Sequence, residues 1–139
     1  VAAALTPADR ATNRSGTMYK LVISDTVKFQ VKLTVNDAGT KKEFPMWIEA
    51  KRLDVNAIKA DIADSGDLKL MDFHSKVCRE NVTGWQDQRL VVDQDGNPAP
   101  FSLEALEIVL GLTGAVGIIH AAYMDAVVAT SGMAGRAKN

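Results

Sequence analysis

Residues 27–35 alternate without a break: Val27, Phe29, Val31, Leu33 and Val35 are apolar, while Lys28, Gln30, Lys32 and Thr34 between them are polar. Successive side chains of a strand point to opposite faces, so this period of two predicts a strand buried on one side and wet on the other. Asn36-Asp37-Ala38-Gly39 supplies turn chemistry, and a second alternating run follows. There Phe44, Met46, Ile48 and Ala50 share one face, and Pro45, Trp47 and Glu49 share the other. Proline donates no ladder hydrogen bond, which predicts an edge strand or one with its free side at Pro45. Residues 18–23 are the expected third strand, giving a small antiparallel N-terminal sheet.

The period changes after Leu53. Val55, Ile58 and Ile62 recur at helical spacing behind Asp54, a candidate N-cap, and Ser65-Gly66-Asp67 breaks the run. Leu70, Phe73, His74 and Val77 mark one face of a second helix, and residues 90–92 read as a short strand. Ser102 is placed as the N-cap of a third helix, with Phe101 and Leu106 at the spacing of a hydrophobic staple. Residues 111–114 interrupt it, and a final helix is expected from residue 113 to 130, ending near Gly132. The fold class expected is α+β, a small antiparallel N-terminal sheet followed by a C-terminal helical part of about four helices. The expected layout is a flexible arm over 1–17, one domain over 18–131 and a flexible tail over 132–139.

At 139 residues the chain is long enough for one core without staples. A net charge of −1 carries no basic excess of the kind a phosphate backbone selects, so nucleic acid is not an expected partner. Cys78 is the single cysteine, so no internal disulfide can form. The opening VAAALTPADRATNRSGT lacks the basic start and continuous apolar stretch of a secretory signal, which predicts a cytoplasmic location.

Four features invite a chemical reading. The first is Asp93-Gln94-Asp95-Gly96-Asn97, which looks like the start of a calcium loop. Counted from Asp93, however, the position that needs glycine holds Pro98, whose fixed φ cannot make the required bend. A turn explains every residue, so no metal is expected. The second is His74 and Cys78, one helical turn apart, a possible thiol–imidazole dyad or half a zinc site. No second cysteine completes the set, and a buried cysteine commonly serves as a small hydrophobe. No phosphate loop, catalytic triad or closed ligand set occurs, so neither a cofactor nor an enzymatic activity is expected.

The third is the run 108–124, which holds no charged residue besides His120. As one helix between Glu107 and Asp125 it would span about 25 Å, short of the ~30 Å of a bilayer core, so a bent helix pair is expected and no membrane partner. In the final helix Val116, Ile119, Tyr123 and Val127 form one stripe, yet Ala115, Ile118, Ala122 and Ala129 leave the other side apolar too. A helix apolar all round must be covered all round, by the rest of the domain, by self-association or by a partner chain. Ile118 and Ala122 are the candidate partner-facing residues. The fourth feature is the tryptophans. Trp47 lies opposite the apolar set of its strand, and Trp85 follows Gly84 in an expected loop. Each is either an interface anchor or covered by another element.

The order of these features resembles the tail assembly chaperones of long-tailed bacteriophages. The residues that carry the resemblance are Gly84 and Trp85, Asp95 and Gly96, Pro100, Phe101 and Ser102, and Ala122 with Tyr123 on the last helix, within residues 27–128. The resemblance implies a non-enzymatic protein of the bacterial host cytoplasm. Such a protein coats the aggregation-prone tape measure protein, helps bring tail tube subunits to it, and is absent from the finished virion. It further implies a longer frameshifted product, with which the closing Ala137-Lys138-Asn139 is compatible through a run of adenine codons. Two alternatives stay open: a structural tail or neck component retained in the particle, and a small ligand-binding or enzymatic domain using His74 and Cys78.

Overall fold

A computed structural model describes residues 19–65 and 69–131. The expected arm and tail, the break at Gly66-Asp67 and the C-terminal Ala137-Lys138-Asn139 lie outside the described residues. Two long strands, β1 (Thr26–Asp37) and β2 (Thr40–Lys51), form a hairpin paired from Thr26↔Lys51 to Asp37↔Thr40. The turn is the two residues Ala38 and Gly39, with φ of 54° and 94°. Paired positive φ values match the right-handed twist of the flanking strands, which is why tight hairpins favour them. Glycine adopts this conformation freely, whereas Ala38 does so at a cost. The Asn36 carboxamide oxygen, accepting from the Gly39 N–H at 2.8 Å, helps hold it.

The alternation predicts the buried face correctly. Val27, Phe29, Val31 and Leu33 of β1, and Met46, Ile48 and Ala50 of β2, are all buried. The third strand is elsewhere than expected. Residues 19–23 form no strand, and Tyr19, Leu21, Val22 and Ile23 are exposed. The place beside β2 belongs to β3 (Val82–Gln86), giving the order β1-β2-β3. Pairing with β3 reaches only from Ala50 to Trp47, so among the described residues β2 has no neighbour on that side at Pro45. The missing proline N–H is thereby tolerated, in a strand that is central at one end and an edge at the other.

Four helices follow among the described residues. Helix α1 (Val55–Ser65) is capped by Asp54, whose carboxylate accepts from the Ala57 N–H at 2.7 Å. Helix α2 (Leu70–Asn81) passes into β3 without a loop, since Val82 is already extended. Its buried residues are Val77, Cys78 and Asn81, while Leu70, expected on the buried face, is exposed. Helix α3 (Leu103–Leu110) starts at Ser102, whose hydroxyl accepts from the Ala105 N–H at 3.0 Å. Helix α4 (Ala115–Val127) starts after Gly114 at φ 93° and ends at Val127, short of the expected residue 130.

Helix α4 lies against the inner face of the sheet and beside α2. Val116, Ile119 and Tyr123 point inward, the Tyr123 ring sits 6.0 Å from Phe29, and its hydroxyl donates to the Lys51 carbonyl. Arg79 of α2 pairs with Glu107 of α3 at 2.5 Å. Helix α1 rests chiefly on α2. The fold is α+β, with the sheet on one side of the core and the helices on the other.

Candidate functional site

The outer face of the sheet is open. Pro45, Trp47 and Glu49 are all exposed, so among the described residues no helix covers the face opposite the core. Trp47 stands between Gln30 of β1 and Gln86 of β3, is 37% exposed, and has the Lys28 ammonium 5.9 Å from its ring centre. A cation over an indole face is a weak attraction at an exposed site, so it leaves the ring accessible.

Trp85 differs. It sits in β3 rather than in a loop, half-buried, with its indole N–H donating to the Ala99 carbonyl at 3.1 Å. Phe101 meets it edge to face at 5.2 Å. Residues 90–92, expected as a strand, contribute a single bridge, Val92↔Pro98. The organiser here is Gln88, which is buried. Its carboxamide oxygen accepts from the Leu90 and Val91 N–H groups at 3.0 and 2.9 Å. Its nitrogen donates to the carbonyls of Val91 and Ala99 at 2.8 and 3.0 Å. The surface above is an open hollow of about 430 Å³ lined by Trp85, Arg89, Pro98 and Pro100 among others.

The DQDG segment is a turn. One carboxylate oxygen of Asp93 accepts from the N–H groups of Asp95 and Asn97 at 2.9 and 3.0 Å, and the Asp93 N–H donates to the Asn97 carbonyl at 2.8 Å. An aspartate engaged with its own backbone in this way is an Asx-type turn. Among the described residues no three His, Cys, Asp or Glu side chains gather where they could hold a metal ion.

His74 and Cys78 do not form a dyad. The Cys78 side chain is fully buried, and that burial pushes its thiol up to about 11, so it stays protonated; Arg79 opposes the shift only in part. A thiol is a nucleophile only as thiolate. The His74 ring instead stacks on His120 of α4, with centroids 3.8 Å apart and planes 13° from parallel. Burial, with the neighbouring His74 second, holds the His120 pKa below its usual value. Next to this pair lies an apolar pocket of about 180 Å³, open to solvent, between three elements. Ile58 and Ile62 of α1 form one wall, Phe73 of α2 a second, and His120 and Met124 of α4 a third, with Leu53 at the end.

On α4 the two candidate residues separate. Ile118 is 45% exposed, whereas Ala122 is half-buried and packed against the core. Among the described residues no single helix is long and apolar enough to cross a membrane. Helices α3 and α4 would pass together on length and composition, but they meet at 112°.

The structure therefore does not bring Trp47, Trp85, Ile118 and Ala122 into one site. Trp47 is on the outer sheet face, Trp85 at the end of β3, and the other two on α4. Sequence reasoning missed Gln88 and the pocket around His120. A lone glutamine in a polar segment gives no signal, and the pocket walls come from three separate helical stretches. Compared with known proteins, the chain matches no family model, no curated protein and no solved structure.

Proposed function

We propose that this chain is a tail assembly chaperone of a long-tailed bacteriophage, acting in the host cytoplasm. It binds and solubilises the tape measure protein, helps recruit tail tube subunits, and is absent from the finished virion. The observation that carries the reading is the final helix. One stripe of α4 is buried against the sheet, while Ile118 turns an apolar side chain outward. An outward apolar residue on a helix held rigidly by its other face suits capture of amphipathic helices from a client. The residues that carry the family resemblance act structurally here: Trp85 and Ser102 close hydrogen bonds, Gly96 turns the chain, and Tyr123 ties α4 to β2. A family held together by such residues rather than by a reactive group fits a binding role.

Co-expression tests this. The chain is expected to keep the tape measure protein of its own genome soluble. Ile118→Glu is expected to fold normally and lose that rescue, with Trp47→Ala the second surface to examine. An Ile118→Glu chain that still rescues moves the client site off α4. Finding the protein in purified virions by mass spectrometry would instead make it a structural tail or neck component.

A further inference from the structure

We propose that the open edge of β1 pairs with the same edge of a second copy of this chain, antiparallel and with Val31 opposite its own counterpart. The inference is independent of the chaperone reading. Among the described residues β1 has a strand neighbour on one side only, β2. The two-residue turn makes Asp37 and Thr40 a hydrogen-bonded pair, and bonded pairs alternate along an antiparallel ladder. The odd-numbered residues of β1 therefore spend their backbone groups on β2. Thr26, Lys28, Gln30, Lys32, Thr34 and Asn36 point theirs outward. The ends of the ladder agree with this parity. The Arg52 N–H donates to the Asp25 carbonyl, whereas the Thr26 N–H turns to the Ser24 hydroxyl.

This edge lacks the usual protection. It is twelve residues long, holds no proline, and keeps one register from Thr26↔Lys51 to Asp37↔Thr40 without a bulge. The opposite edge, β3, is five residues long, carries Gly84 and pairs through a register shift. Lysines commonly guard an edge, but here both lean toward β2. The Lys32 ammonium lies 3.7 Å from the Glu43 carboxylate, and that of Lys28 lies over the Trp47 ring.

A second copy is the occupant because the edge matches itself. With Val31 at the twofold axis, Gln30 meets Lys32, Lys28 meets Thr34 and Thr26 meets Asn36, so every outward residue exchanges two hydrogen bonds with its opposite. Sliding by two residues either way sets Lys28 against Lys32, or Lys32 against itself, and like charges directly opposite are destabilising. Larger shifts shorten the ladder. The same register sets Phe29 beside Leu33 and Val27 beside Val35 on the core side, so the two apolar faces continue into one another.

Sedimentation velocity of the full chain from about 10 μM to about 1 mM is expected to show a monomer–dimer equilibrium. Gln30→Pro removes one outward N–H and leaves the β1–β2 ladder whole. It is expected to keep the circular dichroism of the parent and to sediment as a monomer. Thr34→Lys places a lysine opposite Lys28 in both halves of the dimer and keeps the strand should the proline variant fail to fold. It should weaken association about fivefold, and Thr34→Glu should tighten it by a similar factor. A parent chain that stays monomeric across the range overturns the proposal. A folded Gln30→Pro chain that dimerises like the parent does so too, as do Thr34→Lys and Thr34→Glu chains that associate alike.

Discussion

Gln88 satisfies four backbone groups with one side chain, in a segment that has almost no ladder of its own. Replacing it with leucine keeps the volume and orphans the Leu90 and Val91 N–H groups. Gln88→Leu is therefore expected to cost about 2–4 kcal/mol, read as a fall in the midpoint of urea unfolding. His120 gives a pH dependence whose sign follows from its environment. Its folded pKa lies below the ordinary 6.5, so the unfolded chain takes up the proton first. Stability is then flat above that value and falls as pH drops from 6.5 toward the folded pKa. Melting curves from about pH 7 to about pH 5 are expected to show this decline, reduced in His120→Gln. His74→Gln should reduce it too, because part of the depression comes from the neighbouring imidazole. A decline identical in all three chains would assign it to the carboxylates instead.

At the scale of elements, α4 has two sides with different fates. Val116→Glu and Tyr123→Glu force a carboxylate into the core and are expected to cost several kcal/mol and unfold the domain. Ile118→Glu lies on the exposed side and should change stability by no more than about 0.5 kcal/mol, both read from thermal unfolding. This stripe was legible in the sequence, as were the hairpin and the Asp54 and Ser102 caps, because each depends on local spacing. The third strand was not. β3 reads VTGWQ, with a glycine in its middle and no apolar alternation, and it earns its place through pairing with a distant β2. Residues 19–23 have the more strand-like composition yet stay exposed, Val22 at 95%. The His74–His120 stack was hidden for the same reason, since it joins two helices far apart in the chain.

For the whole molecule, the unequal attachment of its parts predicts unequal opening. The sheet, α2 and α4 share one core, whereas α1 leans chiefly on α2 and leaves Val55 and Ile62 exposed. Local opening follows such differences in buried contact. Amide hydrogen exchange is expected to be fastest in α1 among the helices and slowest in the paired centre of β1 and β2. If α1 is protected as well as α4, it is held by more than its packing on α2.

The tight turn at Ala38 and Gly39 also has a kinetic meaning. Every pair of the β1–β2 ladder is reached by zipping outward from Asp37↔Thr40, so each step closes almost no additional loop. Hairpins of this kind form in about 1–10 μs. Joining β3 to β2 is a different event, because Ala50 meets Val82 only after both intervening helices have been brought round. The search for that contact is slower than closing the hairpin, and the docking of α4 on β1, which brings Tyr123 to Phe29, spans a longer stretch of chain still. Until β3 arrives, the nascent sheet shows solvent the β2 edge that β3 will later cover.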